Sequence, residues 1–310
     1  MPEHSHDHHH GHKDRHHHNV PRPGAMRAFA LGIIFNSVFV VVEWTYGVMA
    51  GSLALIADAT HNFGDVLGLA LAWGAAALAR RPPSARFTYG LGGSTILAAL
   101  ANAMLLLMAI GGIAWEAIHR FHNQVVVDEA TIIWVALLGV AINTATAWLF
   151  MADRKKDLNM RGAYLHMAAD AGVSLGVAMA GFGMMYTGWR WLDPLVSLLI
   201  VVVIFVGTWG LLRDAMRLAL QAAPQDIDPL RVRGYLAALP GVSEIHDLHI
   251  WAMSTTENAM TAHLVMPAGH PGDDFFADVV KYIEHEFNIG HVTIQIETGE
   301  PCALAPDHVV

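Results

Sequence analysis

Cysteine is almost missing from this chain: Cys302 is the only one in 310 residues. That excludes an internal disulfide framework and an all-cysteine zinc site within one chain. Charge is scarce too. Only 15% of the residues are Asp, Glu, Lys or Arg and 54% are hydrophobic, whereas soluble domains carry about 25% charged residues. The N-terminus has no short apolar h-region directly after its charges, so no cleavable signal peptide is expected. A His-Glu-x-x-His step is also absent, which removes that helical metalloprotease pattern. The charges that exist are unevenly placed. Residues 224–310 hold thirteen Asp/Glu against three Lys/Arg, while the residues before them hold fourteen against fifteen. An acidic end behind a nearly neutral apolar body argues against nucleic acid as a partner and fits a cation-facing module.

What the chain has in quantity is long apolar runs. Six of them, at about 27–49, 52–79, 91–118, 130–152, 162–187 and 191–219, reach the roughly 20 residues a membrane helix needs. The first two are separated by almost nothing (Ala50, Gly51), which makes them an antiparallel hairpin. Loop charge sets the expected orientation. Arg80, Arg81 and Arg86 lie in one loop and Arg154, Lys155, Lys156 and Arg161 in another, against Arg120 and Arg190 on the opposite side. By the positive-inside rule both termini are cytoplasmic and the first loop is outside. An integral protein of the cell (inner) membrane is expected.

After Pro224 the pattern changes. DPLRVRGYLAALPGV reads as a short helix stopped by Pro-Gly, SEIHDLHIWAMS and NAMTAHLVMP as strands, DDFFADVVKYIEHEF as an amphipathic helix and HVTIQIET as a third strand. An α-β-β-α-β order in about 80 residues makes a small two-layer α+β domain, metallochaperone-like in arrangement. Domains of that size are often marginal alone and gain stability by pairing. The expected fold class is thus a membrane all-α bundle of six transmembrane helices plus a small cytosolic α+β domain. The expected boundaries are an arm at 1–25, the bundle at 26–222, the α+β domain at 223–300 and a tail at 301–310. Residues 1–18 hold nine of the twenty histidines and nothing apolar to build a core. This reads as a disordered cytosolic arm that gathers divalent metal ions. Interruptions by Ser, Asp, Gly, Lys and Arg disfavour the alternative of a purification tag.

One four-residue step occurs twice inside the apolar runs. His61 and Asp65 lie in ALIADATHNFGDVLGLALAW, and His166 and Asp170 in GAYLHMAADAGVSLGVAMA. Residues four apart share one face of a helix, so each pair offers a nitrogen and an oxygen to one point. If the two helices face each other, the four groups close a tetrahedral cage of two nitrogens and two oxygens suited to zinc. Ionisable groups at bilayer depth are costly and functional by default. One such step is weak, and a polar helix-packing cluster is the bland reading. Two at matching depths are stronger. Asp58, three residues before His61, lies on the same stripe as a further ligand, a residue orienting an imidazole or part of the access path; its place near the helix start favours the last two. Asn36, Glu43, Asn102, Glu116 and Asn143 read mostly as packing residues.

SLALIADATHNFGDV, the RRP…R.TYG loop, GAYLHMAAD, HDLHIW and HVTIQIE together resemble the cation diffusion facilitators over about residues 26–300. The resemblance implies a metal/proton antiporter exporting zinc or a related ion as a homodimer, with His61, Asp65, His166 and Asp170 as transport-site ligands. Two His-x-x-x-Asp pairs typically go with zinc. It also implies regulatory zinc in the cytosolic domain, with His246, His263, His291 and Glu297 as ligands, and no organic cofactor. Strand alternation agrees in part: it puts His291, Thr293, Gln295 and Glu297 on one face, with Val292, Ile294 and Ile296 on the core side. In the first strand alternation alone chooses His249, whereas the resemblance favours His246. Some members carry His where this chain has Gln295. His285 and Cys302 read as surface residues, with Cys302 an alternative ligand across a dimer.

Three function classes compete at this stage. A secondary transporter needs a site that holds either a metal or protons, and neutral imidazole with ionised carboxylate provides one. A membrane metalloenzyme would need an open coordination position and a neighbouring acid or base. A sensor signalling through its tail needs less than six spans with buried charges.

Overall fold

The computed structural model describes residues 23–151, 158–299 and 302, with side chains from Ile34 onward in the first helix. The histidines of the N-terminal arm, the basic residues Arg154, Lys155 and Lys156, and the tail apart from Cys302 lie outside the described residues. Six long helices come first: α1 (Pro23–Ala50), α2 (Leu53–Ala79), α3 (Ser94–His122), α4 (Glu129–Met151), α5 (Leu158–Thr187) and α6 (Leu192–Ala219). Proline at the head of α1 is favourable because its missing N–H would be unpaired there anyway. The helix begins at Pro23 and so takes in the last three residues of the expected arm, 23–25. Five of the six are long and apolar enough to cross a membrane, and α1 adds the shorter apolar stretch Ile34–Ala50. Their outer faces carry large apolar side chains, Trp73, Trp115, Trp134 and Trp148 among the most exposed. Contiguous apolar surface on this scale needs lipid around it.

Within the bundle α4 packs most extensively on α5, and α3 on α6, while α2 touches α1, α3, α5 and α6. The hairpin between α1 and α2 turns at Gly51, whose φ of +68° is a left-handed conformation that side chains rarely adopt. Just beyond it, the start of α2 is held by Asp193 from the first turn of α6. Its carboxylate accepts from Ser52 Oγ at 2.6 Å, from Leu53 N at 2.8 Å and from Ala54 N at 3.2 Å. A carboxylate over a helix N-terminus satisfies orphan N–H groups and meets the positive end of the dipole. Arg120 of α3 closes the arrangement, ion-paired with Glu116 and lying 3.7 Å from Asp193 while donating to the Gly51 carbonyl. Arg120, counted in the sequence as a loop charge, is thus bound into the bundle. Asp193 carried no motif to reveal it.

The remaining elements are α7 (Pro229–Ala237), β1 (Glu244–Ala252), β2 (Asn258–Val265), α8 (Asp273–Phe287) and β3 (His291–Glu297). The α-β-β-α-β order agrees with the sequence reading. β2 is the central strand, antiparallel to β1 and parallel to β3. Ile245, Ile250, Met260 and Leu264 from the sheet meet Val232 and Leu236 from α7 and Val279, Ile283 and Phe287 from α8 in one core. This domain touches the bundle beside the 80–93 loop. Thr255 N donates to Thr95 Oγ1 at 3.0 Å, and Tyr89 stands edge-on to His291 with ring centroids 5.4 Å apart.

Candidate metal centres

The two His-x-x-x-Asp steps meet. His61 and Asp65 on α2 face His166 and Asp170 on α5. His166 Nε2 lies 3.1 Å from Asp65 Oδ2 and 3.7 Å from Asp170 Oδ2; His61 Nε2 lies 3.6 Å from Asp170 Oδ1 and 3.9 Å from Asp65 Oδ2. An ion bound at about 2.0 Å in a tetrahedron separates its ligand atoms by about 3.3 Å, so the four groups stand close to that spacing. His61, His166 and Asp170 each offer an atom within 4.8 Å of the others, and Asp65 closes the set through His166. The two rings sit edge to face with centroids 5.9 Å apart. Access is one-sided: the Asp170 side chain is 2% exposed, those of Asp65 and His166 are 32% and 42%. One turn along α2, Asp58 forms no ion pair with an imidazole among the described residues. Its Oδ2 accepts from Ser174 Oγ at 3.0 Å, and it lies beside Glu43 of α1. Ser174 was missed in the sequence, although it sits four residues beyond Asp170 on the same face of α5.

A second cluster forms on the sheet. His246 Nε2 is 2.8 Å from Glu297 Oε2, and His263 Nδ1 is 3.0 Å from Glu297 Oε1. His246 and His263 are direct partners across β1 and β2, with ring centroids 5.0 Å apart. These three residues could hold a metal ion. The choice between His246 and His249 turns on a bulge. Strict alternation back from Ile250 would put His246 on the core face. Instead the register slips between His246 and His249, and Asp247 adopts φ +52°. The extra residue shifts the phase by one and returns His246 to the face of His263. His249 is turned aside to bond Asp247 Oδ1 at 2.8 Å, and Asp247 Oδ2 lies 3.4 Å from His263.

His291 is not brought to this cluster, which corrects the expected pairing with Glu297. The two do share a face of β3, but six residues at about 3.3 Å each set them about 20 Å apart. His291 is exposed and packs on Tyr89. Gln295 pairs across from His263 and donates to Glu297 Oε1 at 3.0 Å. Cys302 is half-buried and its backbone N–H donates to Glu297 Oε2 at 2.8 Å. Although burial pushes the Glu297 carboxyl up, hydrogen bonds from His246, Cys302 and Gln295 hold it below its ordinary value.

Sequence comparison decides the family. The family model described as the cation efflux transmembrane domain matches residues 29–218, and the cation efflux protein cytoplasmic domain matches residues 224–299. This chain is a cation diffusion facilitator. Among curated relatives, the metal cation efflux system protein CzcD of Cupriavidus metallidurans is 34% identical over 94% of this chain and 92% of its own. The cadmium, cobalt and zinc/H(+)-K(+) antiporter of Bacillus subtilis is 32% identical over 91% of this chain and 92% of its own. The zinc transporter ZitB of Escherichia coli is 33% identical over 88% of this chain and 87% of its own. In this facilitator, therefore, the apolar helices form an integral membrane domain, and the small sheet domain is of the family's cytoplasmic type.

Proposed function

We propose that this facilitator exports a divalent cation, zinc foremost, in exchange for protons, and that His61, Asp65, His166 and Asp170 carry the ion across. The observation that supports this most is the convergence of two imidazoles and two carboxylates from α2 and α5 at 3.1–3.9 Å. The mixed nitrogen and oxygen donors suit zinc and also accept cadmium, cobalt or nickel. Metal requires neutral imidazole and ionised carboxylate, so loading the site expels protons and protonation empties it. Alternating exposure of α2 and α5 to the two sides of the bilayer then turns that competition into exchange. Four protein ligands leave no open coordination position for an activated water, which disfavours a metalloenzyme.

The bundle of residues 26–222 is the carrier and the domain of residues 223–300 the site of pairing into a homodimer. There His246, His263 and Glu297 would hold a regulatory zinc ion, with Asp247 orienting His263 from behind. The basic loop at Arg80, Arg81 and Arg86 supports an orientation with both termini in the cytoplasm, in the cell's inner membrane.

Zinc, cadmium, cobalt and nickel uptake into proteoliposomes, measured with and without an imposed pH gradient, tests the reading. Zinc flux that rises with an opposing proton gradient is expected. Flux indifferent to the gradient would remove proton coupling from the account, and no flux of any ion would remove transport itself.

A further inference from the structure

One turn from the four ligands, away from the sheet domain, a second polar layer crosses the bundle. Glu43 from α1, Asp58 and Asn62 from α2 and Ser174 from α5 are all fully buried. The Glu43 and Asp58 carboxyls stand beside each other from facing helices. Two buried carboxyls sharing one site repel when both are ionised, which favours one proton between them. Two donors reach the pair besides: Asn62 Nδ2 to Glu43 Oε2 at 3.5 Å and Ser174 Oγ to Asp58 Oδ2 at 3.0 Å. Glu43 Oε1, Asp58 Oδ1 and Asn62 Oδ1 are buried acceptors for which no protein donor is available. Among the described residues no Lys, Arg or His comes within ion-pair distance of either carboxyl. Three buried acceptor oxygens with neither a protein donor nor a protein cation call for a donor from outside the fold.

The surroundings leave the pair to itself. α2 brings His61 and α5 brings Asp170 from the neighbouring layer. α4 has no charged residue between Glu129 and its end at Met151. Glu116 and Arg120 of α3 and Asp193 of α6 are engaged at the start of α2. Close packing fixes the layer: a Cβ on Gly139 of α4 would stand 2.9 Å from Ser174 Oγ and 2.8 Å from Phe39.

We propose that Glu43 and Asp58 form a proton-binding site of their own, holding one proton between two carboxyls and surrendering it when the metal site one turn away is loaded. The inference rests on the exchange reading above. With no metal bound, the pair with its shared proton has a net charge of −1. A dication on the four ligands favours the fully ionised pair at −2, and the proton is released. On unloading, a proton returns to the carboxyl pair. One proton of the exchange is thus carried on groups that never touch the metal.

The test uses the purified full-length chain. Zinc titration calorimetry in buffers of different protonation enthalpy counts the protons released per zinc bound. Glu43→Gln and Asp58→Asn should each still bind zinc and release one proton fewer than the wild type. An unchanged count in either folded variant overturns the proposal. An infrared difference spectrum of the wild type, zinc-bound minus zinc-free, needs no variant to fold. Loss of a protonated-carboxyl band on adding zinc is expected, and its absence overturns the proposal. Repeating the titration in potassium, sodium or choline salts covers the other cation chemistry. Zinc binding that displaces an alkali ion instead of a proton overturns it too. Failure of the wild type to bind zinc would sink the transport reading itself. Zinc binding with an unaltered proton count in the variants sinks only the carboxyl pair.

Discussion

The bundle and the sheet domain each gather two histidines and acidic oxygen, and they do so by opposite means. In the bundle the candidate ligands come as two copies of one helical repeat, and only the facing of α2 and α5 is tertiary. On the sheet the candidate ligands come singly from three strands, aligned by the His246–His263 pairing and by a bulge at Asp247. A helical spacing survives small errors of boundary, since every fourth residue stays on one face. A strand inverts its faces with a one-residue slip. The bundle site should therefore fail by losing ligands and the sheet site by losing register.

The largest effect expected is on the bundle site. Removing a ligand with Asp65→Ala should cost more than about 100-fold in zinc affinity, the upper end for partners that merely orient ligands. Binding within a few fold of the wild type would detach Asp65 from the site. Next comes the anchor of α2. Asp193→Ala leaves Arg120 and the helix N-terminus without their carboxylate, a loss of about 3 kcal/mol for breaking such a buried pair. Thermal unfolding in detergent should show it, and an unshifted midpoint would mean that the anchor is incidental.

On the sheet, His246→Ala should abolish zinc binding by the cytoplasmic domain. His249→Ala should weaken it by no more than about 10–100-fold, as for residues behind a ligand. Calorimetry on the two variants sharpens the contrast, and the reverse order would restore simple alternation. The smallest effect concerns pH. Glu297 is held below its ordinary value in the folded protein, so its stabilisation is full above the unfolded value of about 4.3. That stabilisation is lost as pH falls through the lower folded value. Acid unfolding of the domain should therefore be steeper in the wild type than in Glu297→Gln; equal slopes would contradict this.

The legibility of the molecule follows the same division. Six helices, the α-β-β-α-β order and the meeting of His61, Asp65, His166 and Asp170 could all be read from apolar runs and one repeated spacing. Asp193 could not, because its partners are backbone N–H groups 139 and 140 residues away. His249 was favoured by alternation over His246 because nothing local in HDLHIW announces a bulge. His291 was joined to Glu297 because sharing a face says nothing about distance along a strand. Glu43 read as a packing residue, since its meaning depends on Asp58 standing opposite.

The central claim is that the metal passes through the four ligands shared by α2 and α5. Zinc uptake into proteoliposomes holding wild type or Asp170→Ala tests it most directly, with both reconstituted at equal amounts and driven by the same pH gradient. The account predicts robust wild-type uptake and background flux in the variant. Equal flux from the two would contradict it.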